Sequence, residues 1–202
     1  MRNSFEEALH FRYACKVFDG GKKIPAEELR YILEAARMSP SSFGMEGWKF
    51  LVIQDGELKS RLSKTCWNPN KLEDCSDVIV LLNQKNLYST HPQVKEQFKS
   101  RGDMYKQYLK VYSDYLDSWS EEEINCWSSK QAYIASAFIM MSAASIKIDS
   151  CPIEGFRKDE ATKVLDIDTK NWEISYMIAL GYRAEEQPAR NRKDFDDVVE
   201  FR

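Results

Sequence analysis

The chain has 202 residues, of which 43% are apolar and 12% aromatic, enough for one substantial core and no compositional reason to divide it. A formal charge of −3 leaves no basic footprint for nucleic acid, and no run of about 18 apolar residues or N-terminal signal core points to a membrane or to export. The five cysteines (Cys15, Cys66, Cys75, Cys126, Cys151) contain no C-x-x-C pair, so they read as reduced thiols of a cytoplasmic protein rather than a disulfide framework or zinc site.

Ser4 and Glu7 have capping-box spacing, which predicts a short helix through Phe5, Ala8 and Leu9 that ends near Arg12. Pro25, with Glu27 and Glu28, opens a second helix whose apolar residues Leu29, Ile32, Leu33 and Ala36 have helical spacing, and Pro40 closes it. Beyond it, Ser39 to Trp48 is a loop of small hydroxyl residues and glycines, with Ser41 and Ser42 able to donate to an anionic or sugar-like ligand. Trp48 to Gln54 reads as a strand, Glu57 to Lys64 as a helix, and Val78 to Leu82 as a fully buried strand. Between the last two, Asn68 and Lys71 read as an ordinary polar turn around Pro69.

From His91 to Ser118 the tyrosines Tyr105, Tyr108, Tyr112 and Tyr115 recur at helical spacing, predicting a helix with little commitment to the core. Ala132 to Ile148 is apolar on nearly every face, the pattern of a central helix buried on most sides or of a subunit interface. Glu154-Gly155, after Pro152-Ile153, is a turn signal in which Gly155 admits a close backbone approach, and Ile174 to Leu180 is a second buried strand ended by Gly181. The alternation of elements fits α/β or α+β, and no repeat or linker composition marks a boundary within 1–202.

Two basic clusters, Arg12 with Lys16 and Arg190 with Arg192, have the chemistry to converge on one phosphate, although by spacing alone they read as solvated surface cations. His10 reads as a helix-surface residue and His91 as a loop residue, and no nucleophile, zinc or nucleotide motif is present. Cys15 and Cys151 lack a neighbouring histidine in sequence, so a thiol-based redox protein is the weaker alternative. A chain without an evident acid, base or nucleophile takes its chemistry from a cofactor.

Arg12-Tyr13-Ala14-Cys15-Lys16-Val17-Phe18 resembles the R-x-S-x-[RK]-x-F opening of the nitroreductase family, and Ser39-Pro40-Ser41-Ser42 with Trp48 resembles its S-P-S-S-x-N-x-Q-P-W loop. Asn68 to Lys71, Lys130-Gln131-Ala132-Tyr133, Pro152 to Phe156, Gly181-Tyr182 and Arg190-x-Arg192 follow in family order, so the resemblance spans the chain. It implies an α+β three-layer fold with a mostly antiparallel sheet, an intertwined homodimer, bound FMN, NAD(P)H as co-substrate and ping-pong reduction of nitroaromatics or quinones. A flavin-binding sensor or store without turnover is the alternative. By the same resemblance Arg12, Arg190 and Arg192 hold the FMN phosphate, Lys16, Asn68 and Lys71 lie along the pyrimidine edge, and Tyr13 and Ala14 line the cofactor. The Pro152-Ile153-Glu154-Gly155 backbone then faces the ring, while Pro40, Ser41, Ser42 and Gly44 reach the flavin of the other subunit. Ala14 stands where the family has serine, and Gly44, Glu46 and Gly47 where it has Asn, Gln and Pro, which predicts a more flexible loop carrying an added negative charge.

Overall fold

The computed structural model describes residues 4–68 and 70–202, without the side chains of 70 and 71. The capping box forms as expected: the Ser4 hydroxyl accepts from the Glu7 N–H at 3.2 Å, the Glu7 carboxylate accepts from the Ser4 N–H at 2.7 Å, and α1 runs Phe5–Phe11. Pro25 caps α2 (Ala26–Arg37). Then come β1 (Trp48–Ile53), α3 (Gly56–Ser63), the short α4 (Asn70–Glu73), β2 (Asp77–Gln84), α5 (Pro92–Lys99) and α6 (Tyr105–Leu116). The long α7 (Glu121–Ser145), β3 (Asp149–Ile153), α8 (Lys158–Val164) and β4 (Trp172–Gly181) complete the described elements.

The four strands form one sheet of order β1-β2-β4-β3 in which every pairing is antiparallel, which excludes the parallel α/β option and makes the fold α+β. All eight residues of β2 are buried. Their side chains alternate: Val78, Val80 and Leu82 pack with Leu62, Leu72 and Ala161 of α3, α4 and α8, while Ile79 and Leu81 pack with Ile32 and Ala36 of α2 and Ala132, Ile139 and Ala143 of α7. Helices therefore cover both faces of the sheet, and the core has three layers.

Several sequence expectations change. The stretch from Pro92 to Leu116 forms two helices, α5 and α6, and part of its aromatic set joins a core of its own: Phe98 and Tyr112 are fully buried with Leu116, Met45 and Val94, while Tyr108 and Tyr115 stay exposed, as the weak core commitment expected of these tyrosines implies. Pro152 and Ile153 end β3, at an edge position that tolerates proline because one side of the strand needs no ladder N–H, and the turn signal of Glu154-Gly155 falls just past the strand's end. The turn expected at Asn68 to Lys71 gives way to α4 from Asn70, with Pro69 outside the described residues. Finally, α7 starts eleven residues before Ala132, behind a second capping box of Ser120 and Glu123, and it is not buried on most sides within one chain. Tyr133, Ile134 and Phe138 are 41%, 39% and 41% exposed on its outer face.

Candidate functional site

The segment after α1 is pulled beside β3. Ala14 bridges Ser150 in parallel, and the Cys15 N–H donates to the Ser150 carbonyl at 3.1 Å. From the other end of the chain the tail returns to the C-terminus of α1, where Gln187 Nε2 donates to the His10 carbonyl at 3.2 Å and Arg190 Nη2 to the Leu9 carbonyl at 2.9 Å. Those carbonyls are the unpaired, negative end of the helix, so amide and guanidinium donors dock there naturally. The result is a cavity of about 380 Å³ lined by Arg12, Tyr13 and Ala14 on one side and residues 187–192, including Arg190 and Arg192, on the other. No carboxylate lines it. Partial burial, then the charges of Arg190 and Arg192, pull the Arg12 pKa below its ordinary value, which places the three guanidiniums within electrostatic reach of one another. Arg12 and the Arg190–Arg192 pair, 178 residues apart at their nearest, line one cavity, a basic cradle, with both tail arginines still exposed to solvent. Lys16 is exposed and lines neither this cavity nor the next.

A second cavity, about 210 Å³, is lined by Trp67, Asn68 and Pro152-Ile153-Glu154-Gly155. From Ser150, beside the cradle, to Ile153 the chain climbs three residues of strand, a span of about 10 Å. The sites thus sit at opposite ends of β3. Gly155 accepts from the Trp67 N–H at 2.8 Å, and the Trp67 indole lies so close that a Cβ on Gly155 would stand 2.8 Å from its Cε3. Trp67 is 77% exposed and was not singled out by sequence. Its one sequence signal is adjacency to Asn68. Across the turn, Tyr133 stacks on Tyr176 with ring centroids 4.5 Å apart, and burial, then a hydrogen bond to Glu154, push the Tyr133 pKa up to about 12. Lys71 falls in α4, but its side chain lies outside the described residues.

The Ser39 to Trp48 loop does not join these cavities within the chain: Pro40, Ser41, Ser42 and Gly44 line neither. Nor is it left loose, as the glycines predicted. Phe43, Gly44 and Glu46 take positive φ values of 56°, 58° and 49°, costly for the two that carry side chains, and the surrounding structure holds them there. Ser41 Oγ accepts from the Glu46 N–H at 2.9 Å, the Ser42 N–H donates to Gln131 Oε1 at 2.9 Å, and α5 contributes Gln97 Nε2 to the Gly44 carbonyl and Gln93 Nε2 to the Met45 carbonyl. Arg101 donates to the Phe43 carbonyl, and the Phe43 ring meets Tyr112 edge-on at 5.1 Å. His91, expected as a loop residue, caps α5 by accepting the Gln93 N–H on Nδ1 at 3.2 Å, and burial lowers its pKa.

Thiol chemistry has poor footing. Cys15 and Cys151 are fully buried, burial pushes the Cys15 thiol up, and none of the five cysteines is in a disulfide. Among the described residues there is no group of three or more His, Cys, Asp or Glu able to hold a metal, and no helix long and apolar enough to cross a membrane.

The nitroreductase family profile matches residues 9–182. Proteins provisionally named NAD(P)H nitroreductases in Staphylococcus aureus (strain USA300) and Staphylococcus epidermidis are each 36% identical over 215 aligned positions, covering all of this chain and 96% and 98% of their own. A crystal structure from Staphylococcus epidermidis, provisionally titled an NAD(P)H:FMN oxidoreductase, superposes with a TM-score of 0.87 at 27% identity, over 100% of this chain and 97% of that one. One from Exiguobacterium sibiricum, provisionally titled a nitroreductase and solved in complex with FMN, has a TM-score of 0.86 at 20% identity over 99% and 98%, a likeness of fold. With a family profile over most of its length and relatives aligned end to end, the chain belongs to the nitroreductase family.

Proposed function

We propose that residues 1–202 form one FMN-binding domain of a homodimeric oxidoreductase that passes reducing equivalents from NAD(P)H to small electron-poor acceptors, nitroaromatics or quinones. The observation that carries this reading is the convergence of Arg12, Arg190 and Arg192 on one cavity at the start of β3, with Asn68 and the Pro152 to Gly155 backbone around another at its end. That layout fits an elongated ligand with a dianionic phosphate at one end and a flat heterocycle at the other. Three guanidiniums with no opposing carboxylate match the phosphate, and Gly155, with the Trp67 indole packed where a Cβ would stand, lines the other cavity without a side chain of its own. When bound, FMN would supply the hydride chemistry, taking two electrons from NAD(P)H and delivering them to an acceptor that follows in the same place, a ping-pong order.

The chain's own residues bind, orient and shield. Arg12, Arg190 and Arg192 would hold the phosphate beside Tyr13 and Ala14, Lys16, Asn68 and Lys71 would serve the pyrimidine edge, and Glu154 and Gly155 would offer backbone groups to the ring. Trp67 would wall one side of the ring site and limit water. Replacing Arg190 and Arg192 together by Ala is expected to weaken FMN binding by about 100-fold or more, since each charged hydrogen bond contributes ~1.5–3 kcal/mol, while turnover per bound flavin stays near that of the parent. Full FMN occupancy in the double variant, measured by flavin fluorescence titration, would return the arginines to the surface and defeat the assignment.

The dimer part rests on apolar surface that one chain leaves open. Tyr133, Ile134 and Phe138 project from α7, an apolar cavity of about 480 Å³ lies between Phe5, Tyr31, Phe138 and Met141, and Phe195 and Phe201 of the tail are largely exposed. Covering these faces with a second copy would also bring Pro40, Ser41, Ser42 and Gly44 toward the partner's cavities. Sedimentation on dilution, followed by flavin fluorescence, is expected to show loss of FMN together with loss of the dimer. A monomer that keeps FMN fully bound refutes the shared site.

A further inference from the structure

An ion pair between the partly exposed Arg183 and the buried Asp149 lies just outside the cradle and contacts both segments that build it. Asp149, the first residue of β3, is 3% exposed. Its carboxylate accepts from the Arg183 N–H at 3.0 Å and from Arg183 Nε at 2.9 Å, and Arg183 Nη2 stands 2.6 Å from the same group. The remaining guanidinium donors reach both halves of the cradle: Nη2 donates to the Phe11 carbonyl at 3.2 Å, at the root of the Arg12 segment, and Nη1 to Gln187 Oε1 at 3.1 Å, at the root of the tail. The plane of the guanidinium lies over the rings of Phe11 and Tyr13, 4.2 and 4.7 Å from their centroids. Arg183 itself does not line the basic cavity.

We propose that the Arg183–Asp149 pair is a positioning element that holds Arg12, Arg190 and Arg192 in one cradle before an anion arrives, and thereby sets the preference for a phosphorylated over an unphosphorylated flavin. The inference rests on the reading of that cavity as a phosphate site. Its physical basis is repulsion: three guanidiniums brought together without a counter-ion push apart, and something other than the ligand must keep the two chain segments in register. Lysine in place of Arg183 would keep the charge but lose the fork that binds Asp149, Phe11 and Gln187 at once, and the stacking on two rings.

The test is the ratio of FMN to riboflavin affinity in flavin-free protein, read by quenching of flavin fluorescence, in the parent, in Arg183→Lys and in Asp149→Asn. The parent is expected to bind FMN at least about tenfold more tightly than riboflavin. In the variants that ratio is expected to fall toward one, with FMN weakened about tenfold and riboflavin by less than about threefold, a pattern that general loosening of the fold would not produce. A folded variant that keeps the parental ratio, including one that weakens both ligands equally, overturns the positioning role and leaves the phosphate site standing. A parent that does not distinguish the two ligands overturns the phosphate reading itself. Should Arg183→Lys fail to fold, Asp149→Asn carries the same decision, because it keeps the side chain's shape while removing the charge and one of the two oxygens that accept from Arg183.

Discussion

Replacing Gly155 by Val is expected to weaken flavin binding by one to two orders of magnitude while leaving the fold in place. A Cβ at this position would stand 2.8 Å from Trp67 Cε3 and 3.2 Å from Cδ2, so the indole or the turn must move. Overpacking of this kind costs about 1–3 kcal/mol. Because Trp67 is 77% exposed, it can swing into water, and the unliganded protein should unfold at nearly the parental temperature. The loss should instead appear in the ring site, whose wall is these two residues. Adding Trp67→Ala separates the two causes. If the indole clash is at fault, the double variant recovers binding relative to Gly155→Val; if the ligand itself approaches the Gly155 backbone, binding stays weak. The proposed function requires the second result, and parental FMN affinity in Gly155→Val would remove this turn from the site.

Truncation of Leu81 to Ala should be the most destructive single change to stability, at about 2–5 kcal/mol. Leu81 is fully buried on the interior strand β2, opposite Phe50 on β1 and Tyr176 on β4, and it packs into the layer that α2 and α7 share. Its neighbours are fixed by sheet pairing and by a 25-residue helix, so the cavity has little scope to collapse. For a chain of this length the loss corresponds to a fall in Tm on the order of 10 °C, measurable by calorimetry of the flavin-free protein. A shift of under about 2 °C would mean that the layer is far more plastic than its packing implies.

The elements legible in sequence share one property: their signals are local. The Ser4–Glu7 box, the Pro25 start of α2 and the unbroken apolar run of β2 each depend on residues within a few positions of one another, and each forms where the spacing places it. The family resemblance carried the site further than spacing could, since four basic residues far apart in sequence read as solvated cations on composition alone. What escaped the sequence was non-local. Pro152 gives no strand signal until β4 pairs beside it at a sheet edge, and Tyr112 looks no more committed than the other tyrosines of α6 until Phe43, Phe98 and Trp127 arrive around it. The loop from Ser39 to Trp48 looked flexible because its glycines permit many conformations, yet Gln93 and Gln97 of α5 and Arg101 just beyond it, some fifty residues later, select one.

By itself, then, the sequence determined the helices α1, α2 and α3, the strands β1, β2 and β4 and which family the motifs resemble, because periodicity and caps are properties of short stretches of chain. The resemblance implied that Arg12, Arg190 and Arg192 share a site; only the tertiary structure showed the cavity that they line, the hold of Arg183 and Asp149 on both of its halves and the cover that Trp67 gives Gly155. Those meetings depend on the docking of the tail at the carbonyl end of α1 and on antiparallel pairing across the sheet. The energies behind them come from contacts between residues scores of positions apart, which no local pattern encodes.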